Sequence, residues 1–394
     1  MHTPSLVNAL RAGAALLLAA CASVRKPTPP GAPAAQAPAA RAAGLPERLS
    51  DAEYWKLLSD VSEPGGYFRI EDNYTSNEME VGQLATALRA RNVTGGVYVG
   101  VGPEQNFTYI AAIHPRMAFV VDIRRQAVVQ HLMYKAMFEM ARDRAEFVSL
   151  LFARQRPAGI DSTTPIQRIW ALYDTVPSDS ATARANYARV VERITGTHGF
   201  ALTAEESAQL RGVFDAFVAY GPGITTRGAR GGYGNSRGFA DLTGASLDSL
   251  GRPQSFLSSE ENYRFVKSLH ERNLIVPVSG DFAGPKAVRA IGAYVAGRGA
   301  VVRAFYVSNV EQYLFMDGKA RAFYDNVATL PVDSASVFIR PYSMRRRFGG
   351  GGGGGGGGSG ASGGTRPLCP IAPFLRTVAA GAVTSNEAAL ACTL

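Results

Sequence analysis

Between Val97 and Ile123 the chain alternates apolar runs of strand length with a segment of helical spacing. Val97–Val101 is a run of valines and a tyrosine broken only by Gly100, Asn106–Ile113 repeats its apolar positions as a short helix does, and His114-Pro115 stops it. Ala118–Ile123 is a second apolar run. Runs of this kind, apolar at every position, predict strands buried on both faces of a parallel sheet. The pattern returns near the end of the chain: strand Leu274–Val278, helix Pro285–Gly297, strand Val301–Val307, helix Val310–Phe315 and a last strand at Ser336–Arg340.

The remaining segments read as helices and turns. Ser50-Asp51-Ala52-Glu53 is a capping box that opens a helix through about Leu58. A polar, turn-rich stretch (Ser62–Glu78) follows, then a helix at Val81–Ala90 that Gly95-Gly96 ends. Val129, Leu132, Met133, Ala136, Met137, Met140 and Val148 recur with helical period, predicting one long helix from Gln126 to Phe152. From about Arg154 to Pro253 the β/α alternation is interrupted. Thr203-Ala204-Glu205-Glu206 caps a helix there, and "GITTRGARGGYGNSRGFADLTG" is a glycine-rich loop. Ser258-Ser259-Glu260-Glu261 caps the helix that restores the alternation. The expected fold is α/β: a doubly wound, mostly parallel sheet with a helical insertion between its second and third strands.

Composition sets limits on this picture. With 394 residues and 46% hydrophobic content the chain can bury a full core. Its formal charge of +9 is scattered, with one knot at Arg345-Arg346-Arg347 and no interleaved aromatic platform, so nucleic acid is not the expected partner. The first residues read as an export signal. Arg11 precedes the apolar run Ala12–Ala20, which is too short to span a bilayer. The run ends in Leu18-Ala19-Ala20-Cys21, which resembles the lipobox of bacterial lipoproteins. That resemblance implies a diacylglyceryl group on Cys21, removal of residues 1–20 and attachment to a membrane through the lipid. Ala22, rather than Asp, after the cysteine favours the outer membrane, on its periplasmic face. The alternatives are an ordinary secretory signal or, if the signal is not used, a cytoplasmic protein.

The Ala/Pro-rich residues from 21 to 49 then form a tether, and 50–348 the α/β domain with its insertion at about 154–253. A glycine-rich linker spans 349–364, with an unbroken run at Gly349–Gly358, and a short segment covers 365–394. Cys369 and Cys392 lie in that last segment. In an oxidising compartment they are a candidate disulfide; in a reducing one they are free thiols. No histidine accompanies them at ligand spacing, so no metal is expected.

Ligands of such sheets bind at the carboxyl ends of the strands, and three strand ends carry suitable residues. The first is Gly100-Val101-Gly102-Pro103-Glu104-Gln105-Asn106, where two glycines let a ligand approach the backbone and a helix begins. The second is Asp122, 20 residues after Gly102, where a carboxylate can accept ribose hydroxyls. The third is Ser279-Gly280-Asp281. Gln105 stands where a dinucleotide fingerprint has its third glycine, and Glu104 would repel phosphate, so a ligand without phosphates fits better. Structural readings stand beside these. The glycines can simply close a turn, Asp122 can pair with Arg124 or Arg116, Asp281 can cap the helix after Pro285, and Asn309 can cap the helix after it. His131, on the long helix, is read as hydrogen-bonded rather than as a base.

The pattern resembles class I S-adenosylmethionine-dependent methyltransferases. The resemblance implies that Gly100 and Gly102 embrace the methionine moiety, Asp122 the ribose and Asp281 the adenine, with Gln105, Asn106 and Gly280 as further cofactor-binding residues. It places Ser308, Asn309 and Glu311 of "FYVSNVEQYLF" on the substrate side, with Asn309 and Glu311 the candidate catalytic residues and Glu311 the proton acceptor. The sequence departs from that family at Tyr98 and Val99, where an acid is usual before Gly100. The blocks "GPEQNFTYIAAIHPRMAFVVDIRRQ" and "ERNLIVPVSGDFAGPKAVRAIG" also resemble a bacterial lipoprotein-type family, which implies the same fold without assigning an activity. The expected function is binding of S-adenosylmethionine or a related nucleoside, with methyl transfer to a small-molecule or protein substrate. The alternative is a non-catalytic envelope lipoprotein whose cleft is a ligand-binding or interaction scaffold.

Overall fold

The structure, a computed structural model, describes residues 44–70, 72–78, 80–228, 237–340 and 367–392. Cys21, Arg345–Arg347, Gly349–Gly358 and most of the tether lie outside the described residues, as does the middle of the glycine-rich loop.

The chain opens with α1 (Asp51–Val61), whose capping box forms as its sequence requires: Ser50 Oγ accepts from the Glu53 amide, and Glu53 accepts from the Ser50 amide. α2 (Val81–Ala90) follows, then β1 (Val97–Val101), α3 (Gln105–Ile113) and β2 (Met117–Asp122). The single long helix expected next is two, α4 (Arg125–Met140) and α5 (Arg144–Phe152). Ala141 is extended, and the Asp143 carboxylate accepts from the Glu146 amide at 2.8 Å, starting a new helix inside a continuous apolar pattern.

Residues 154–253 are helical: α6 (Ile166–Asp174), α7 (Ser180–Val191) with a π-helical turn after it, α8 (Ala204–Tyr220) and α9 (Phe239–Gly244). They pack on α4 and α5, where Phe152, Trp170, Phe217 and Phe239 meet ring to ring. The α/β alternation then resumes through α10 (Glu260–Glu271), β3 (Ile275–Ser279), α11 (Ala287–Ala296), β4 (Val302–Tyr306) and α12 (Val310–Met316). α13 (Ala320–Val327), which the sequence reading leaves out, buries Phe323, Tyr324 and Val327 before β5 (Val337–Ile339).

The sheet has the order β3-β2-β1-β4-β5-β6. Every pairing from β3 to β5 is parallel, so the fold is the doubly wound, Rossmann-like α/β fold. β1, β2 and β3 are buried at every residue, which is why their sequences do not alternate. The sixth strand was not legible in the sequence. β6 (Leu368–Pro370) has three residues and pairs antiparallel with β5, Cys369 standing opposite Phe338. α14 (Ile371–Ala379) and α15 (Asn386–Ala391) follow it, and a Cys369–Cys392 disulfide, with Cα atoms 5.9 Å apart, joins the end of α15 to the edge strand. The segment beyond the glycine tract is thus part of the sheet.

The strand order reverses between β1 and β4. Asp122 ends β2 in register with Ser279 of β3, so the tips of β1 to β4 open at one level, where this fold leaves a crevice.

Candidate functional site

The turn between β1 and α3 is fixed from below. Asn106 Nδ2 donates to the carbonyls of Val101 (2.9 Å), Gly102 (3.1 Å) and Pro103 (2.7 Å), while its Oδ1 accepts from the Tyr98 hydroxyl at 2.9 Å. His131 Nε2 meets the Gly102 carbonyl at 2.9 Å. A side chain at Gly100 would place Cβ 2.0 Å from Asn106 Oδ1, so that glycine makes room for the fastening rather than for a ligand. Gly102 differs: its φ is +75°, and only Asn73 Nδ2, at 3.7 Å, comes near the position a Cβ would take. Gly102 therefore offers open backbone at the strand tip.

A cavity of about 210 Å³ lies over these tips. Gly102, Asp122, Asp281 and Asn309 all line it, together with Ser308. Its apolar surface comes from Phe282 after β3, Tyr306 at the end of β4, Tyr313 on α12, and Tyr67 and Phe68 of the coil between α1 and α2. That coil lies across the sheet's end. The Gly66 amide donates to the Ile123 carbonyl at 2.8 Å, and Phe68 packs edge-on against Tyr313, their centroids 4.9 Å apart.

The charges on the cavity wall are largely paired. Arg124 grips Asp122 with Nε and an Nη at 3.0 and 2.8 Å, and the Arg124 amide donates to the same carboxylate at 3.0 Å. Asp281 accepts from Lys319 Nζ at 3.2 Å and caps the Ala283 amide at 2.9 Å. Asp317 adds a further acid, so the lining carries three carboxylates and two cations.

Two more carboxylates sit behind the wall. Glu78 and Glu104 are 5% and 2% exposed. Glu104 accepts from the Ser76 amide at 3.1 and 3.2 Å, just ahead of α3. It is the N-cap residue of that helix but makes no side-chain bond to the helix amides. Glu78 accepts from Ser308 Oγ at 2.6 Å and from Gln105 Nε2 at 3.3 Å. Each titrates at about 7 instead of 4.5, raised chiefly by burial and also by a neighbouring carboxylate, against the hydrogen bonds each accepts. Sequence reasoning noted Glu104 only as an obstacle to phosphate, and Glu78 lies in a turn-rich stretch with no pattern to single it out.

Several expected site residues serve elsewhere. Glu311 is not on the substrate side: it is 2% exposed, forms a two-pronged ion pair with Arg340 at 2.6 Å and accepts from the Tyr324 hydroxyl at 2.8 Å. Its position on α12 turns it into the core, where Arg340 at the end of β5 neutralises it. Gln105 is buried and spends its amide on Glu78 and the Tyr109 hydroxyl. Gly280 abuts α11, since a Cβ there would stand 2.3 Å from that of Ala287. Gly100, Gln105, Asn106 and Gly280 thus shape the cavity without lining it. Asn309 makes no side-chain cap bond to α12 and faces the cavity.

Residues 74–172 and 241–350 match the family model described as Domain of unknown function (DUF7790). The chain belongs to that family. The two matched stretches make up more than half of the sequence and hold the sheet from β1 to β5, while α7 and α8 of the insertion fall between them. Most of the cavity wall, and both buried carboxylates behind it, lie inside the matched stretches. No curated protein matches the sequence.

Proposed function

We propose that the cavity binds S-adenosylmethionine or a closely related nucleoside and serves methyl transfer to a second substrate. The observation that carries this reading is the convergence of Gly102, Asp122, Asp281 and Asn309, from four different strand ends, on one cavity at the switch point. The donor set suits a cationic nucleoside without phosphates. Glu104 is the N-cap residue of α3, where its charge opposes a pyrophosphate, and acids outnumber cations on the wall. Tyr67, Phe68, Tyr306 and Tyr313 supply aromatic faces, which attract a cation.

In this reading the open backbone of Gly102 receives the methionine moiety, Asp122 the ribose hydroxyls and Asp281 the adenine, with Phe282 beside the base. The bound donor supplies an activated methyl group on a sulfonium. What the chain contributes is alignment of donor and acceptor in a partly desolvated cavity, which needs no nucleophilic side chain. One observation favours a second reading, a binding module without chemistry: both Asp122 oxygens are already engaged by Arg124. Attachment to the envelope through Cys21 remains part of the proposal, and the binding-module reading suits that location better, since the donor is made in the cytoplasm.

Calorimetry on the full chain with S-adenosylmethionine, S-adenosylhomocysteine and NAD tests the proposal. Binding of the first two but not of NAD is expected, weakened at least tenfold in Asp122→Ala and in Asn309→Ala. Absence of binding by all three, with native circular dichroism, would retire the cofactor claim.

A further inference from the structure

We infer that Ser308 and Glu78 form a proton relay that opens into the cavity, and that the second substrate presents a phenolic hydroxyl to it. This rests on reading the cavity as a methyl-transfer site, which requires an ionised or ionising acceptor. The relay takes over the task that the sequence assigns to Glu311, which Arg340 and Tyr324 hold in the core.

Three observations support it. Ser308 lines the cavity, and its hydroxyl donates to Glu78 Oε1 at 2.6 Å; the Tyr306 hydroxyl reaches one lone pair of the oxygen, and the second remains to accept a proton from the cavity side. Ser308 also has φ of +45°, a conformation that a residue with a Cβ seldom adopts and that clusters at functional sites. The carboxylate it touches is buried and, among the described residues, meets no cation: its neighbours there are the Tyr306 hydroxyl from β4, Gln105 and Tyr109 from α3, Tyr98 from β1, Glu104 before α3 and Glu80 before α2. None of these neutralises Glu78, so it is a base rather than half of an ion pair.

The step balances without any other reagent. The O–H bond of the acceptor breaks and its proton goes to Ser308 Oγ as the proton of Ser308 passes to Glu78 Oε1. The negative charge moves from Glu78 to the acceptor oxygen, which becomes the nucleophile. The strength of the base selects the acceptor. A carboxylate titrating near 7 can share a proton with a phenol of pKa about 10, but poorly with an aliphatic hydroxyl, which is far less acidic. The aromatic rings of the cavity suit a phenolic ring as well. Ser308 touches the substrate in this scheme, and Glu78 acts through it.

The test uses 4-nitrophenol, whose phenolate is yellow, bound to the full chain without donor. If probe and Glu78 share a proton, the bound probe titrates in two steps at least about one pH unit apart in wild type, and in a single step in Glu78→Gln. Glu78→Asp restores the coupling and Ser308→Ala weakens it. Methyl transfer to unsubstituted phenol at about pH 7, where that acceptor is almost wholly un-ionised, falls by about 10²–10⁴ in Glu78→Gln, with S-adenosylmethionine affinity unchanged by calorimetry. Identical titration curves in wild type and Glu78→Gln, or no binding of the probe, overturn the inference while leaving donor binding intact. Failure of the donor to bind, with the coupling present, retires the methyl-transfer reading instead.

Discussion

Replacing Glu104 with Gln reverses the usual effect of pH on a carboxylate variant. Glu104 is buried behind the cavity, and burial raises its titration from 4.5 to about 7, opposed by the Ser76 amide and its own amide and assisted by the charge of Glu78. Its protonated form is thus favoured by the fold. Between 4.5 and about 7 the native protein holds a proton that the unfolded chain has lost, so this group's contribution to stability falls as pH rises through that window and is level beyond it. Moving one carboxyl from 4.5 to about 7 corresponds to about 3 kcal/mol, at about 1.4 kcal/mol per pH unit. Gln keeps the volume and one acceptor for the Ser76 amide but does not titrate. The assay is denaturant unfolding of wild type and Glu104→Gln at pH 4.5 and pH 8.5. The stability difference between the two proteins should shift by about 3 kcal/mol between those pH values, in favour of Gln at the higher one. Glu104→Ala, which strands the buried Ser76 amide, should be about 1–3 kcal/mol less stable than Glu104→Gln at both. A difference between wild type and Gln that does not change with pH, or that moves the other way, refutes the assignment of a costly buried carboxylate.

Three further outcomes are expected. Arg340→Met alone should destabilise the fold by about 3–5 kcal/mol, because it leaves Glu311 charged in the core, and the double variant with Glu311→Leu should recover most of that in chemical denaturation. An unchanged midpoint for the single variant would mean the pair is not buried as described. Replacing Cys369 and Cys392 by Ala should cost about 3 kcal/mol, given their separation of 23 residues, and should raise amide exchange at β5 and β6; unaltered exchange there would count against the edge pairing. Wild type expressed in a Gram-negative bacterium should fractionate with membranes and Cys21→Ala should not; identical soluble distributions would remove the lipid anchor.

The elements that place the site were legible because burial on both faces leaves a plain signature. Residues 97–101 and 117–121 carry no polar side chain except the Tyr98 hydroxyl, and Asp122, the acid that ends the second strand, marks a strand tip at the cavity. Capping chemistry at Ser50, Thr203 and Ser259 was equally direct, each side chain accepting the amide three residues on. What failed to show was whatever depends on contacts distant in sequence. Glu311 reads as a free acid on a helix until Arg340, 29 residues later, is brought beside it. Gly100 and Asn106 read as ligand contacts, whereas they fasten each other's turn. Strand β6 is three residues long and takes its identity from pairing with β5 across the glycine tract. Glu78 became part of the site only because the coil between α1 and α2 folds across the strand tips and sets it under Ser308.

The central claim is the location of a nucleoside ligand over the tips of β1, β2, β3 and β4. Photo-crosslinking of methyl-labelled S-adenosylmethionine to the full chain, with the labelled peptides mapped by mass spectrometry, tests it most directly. The expected label falls on peptides carrying Tyr67–Phe68, Gly102 or Tyr306–Tyr313, all on the cavity wall, and is displaced by S-adenosylhomocysteine. Label confined to other surfaces, or undiminished by the competitor, would contradict it.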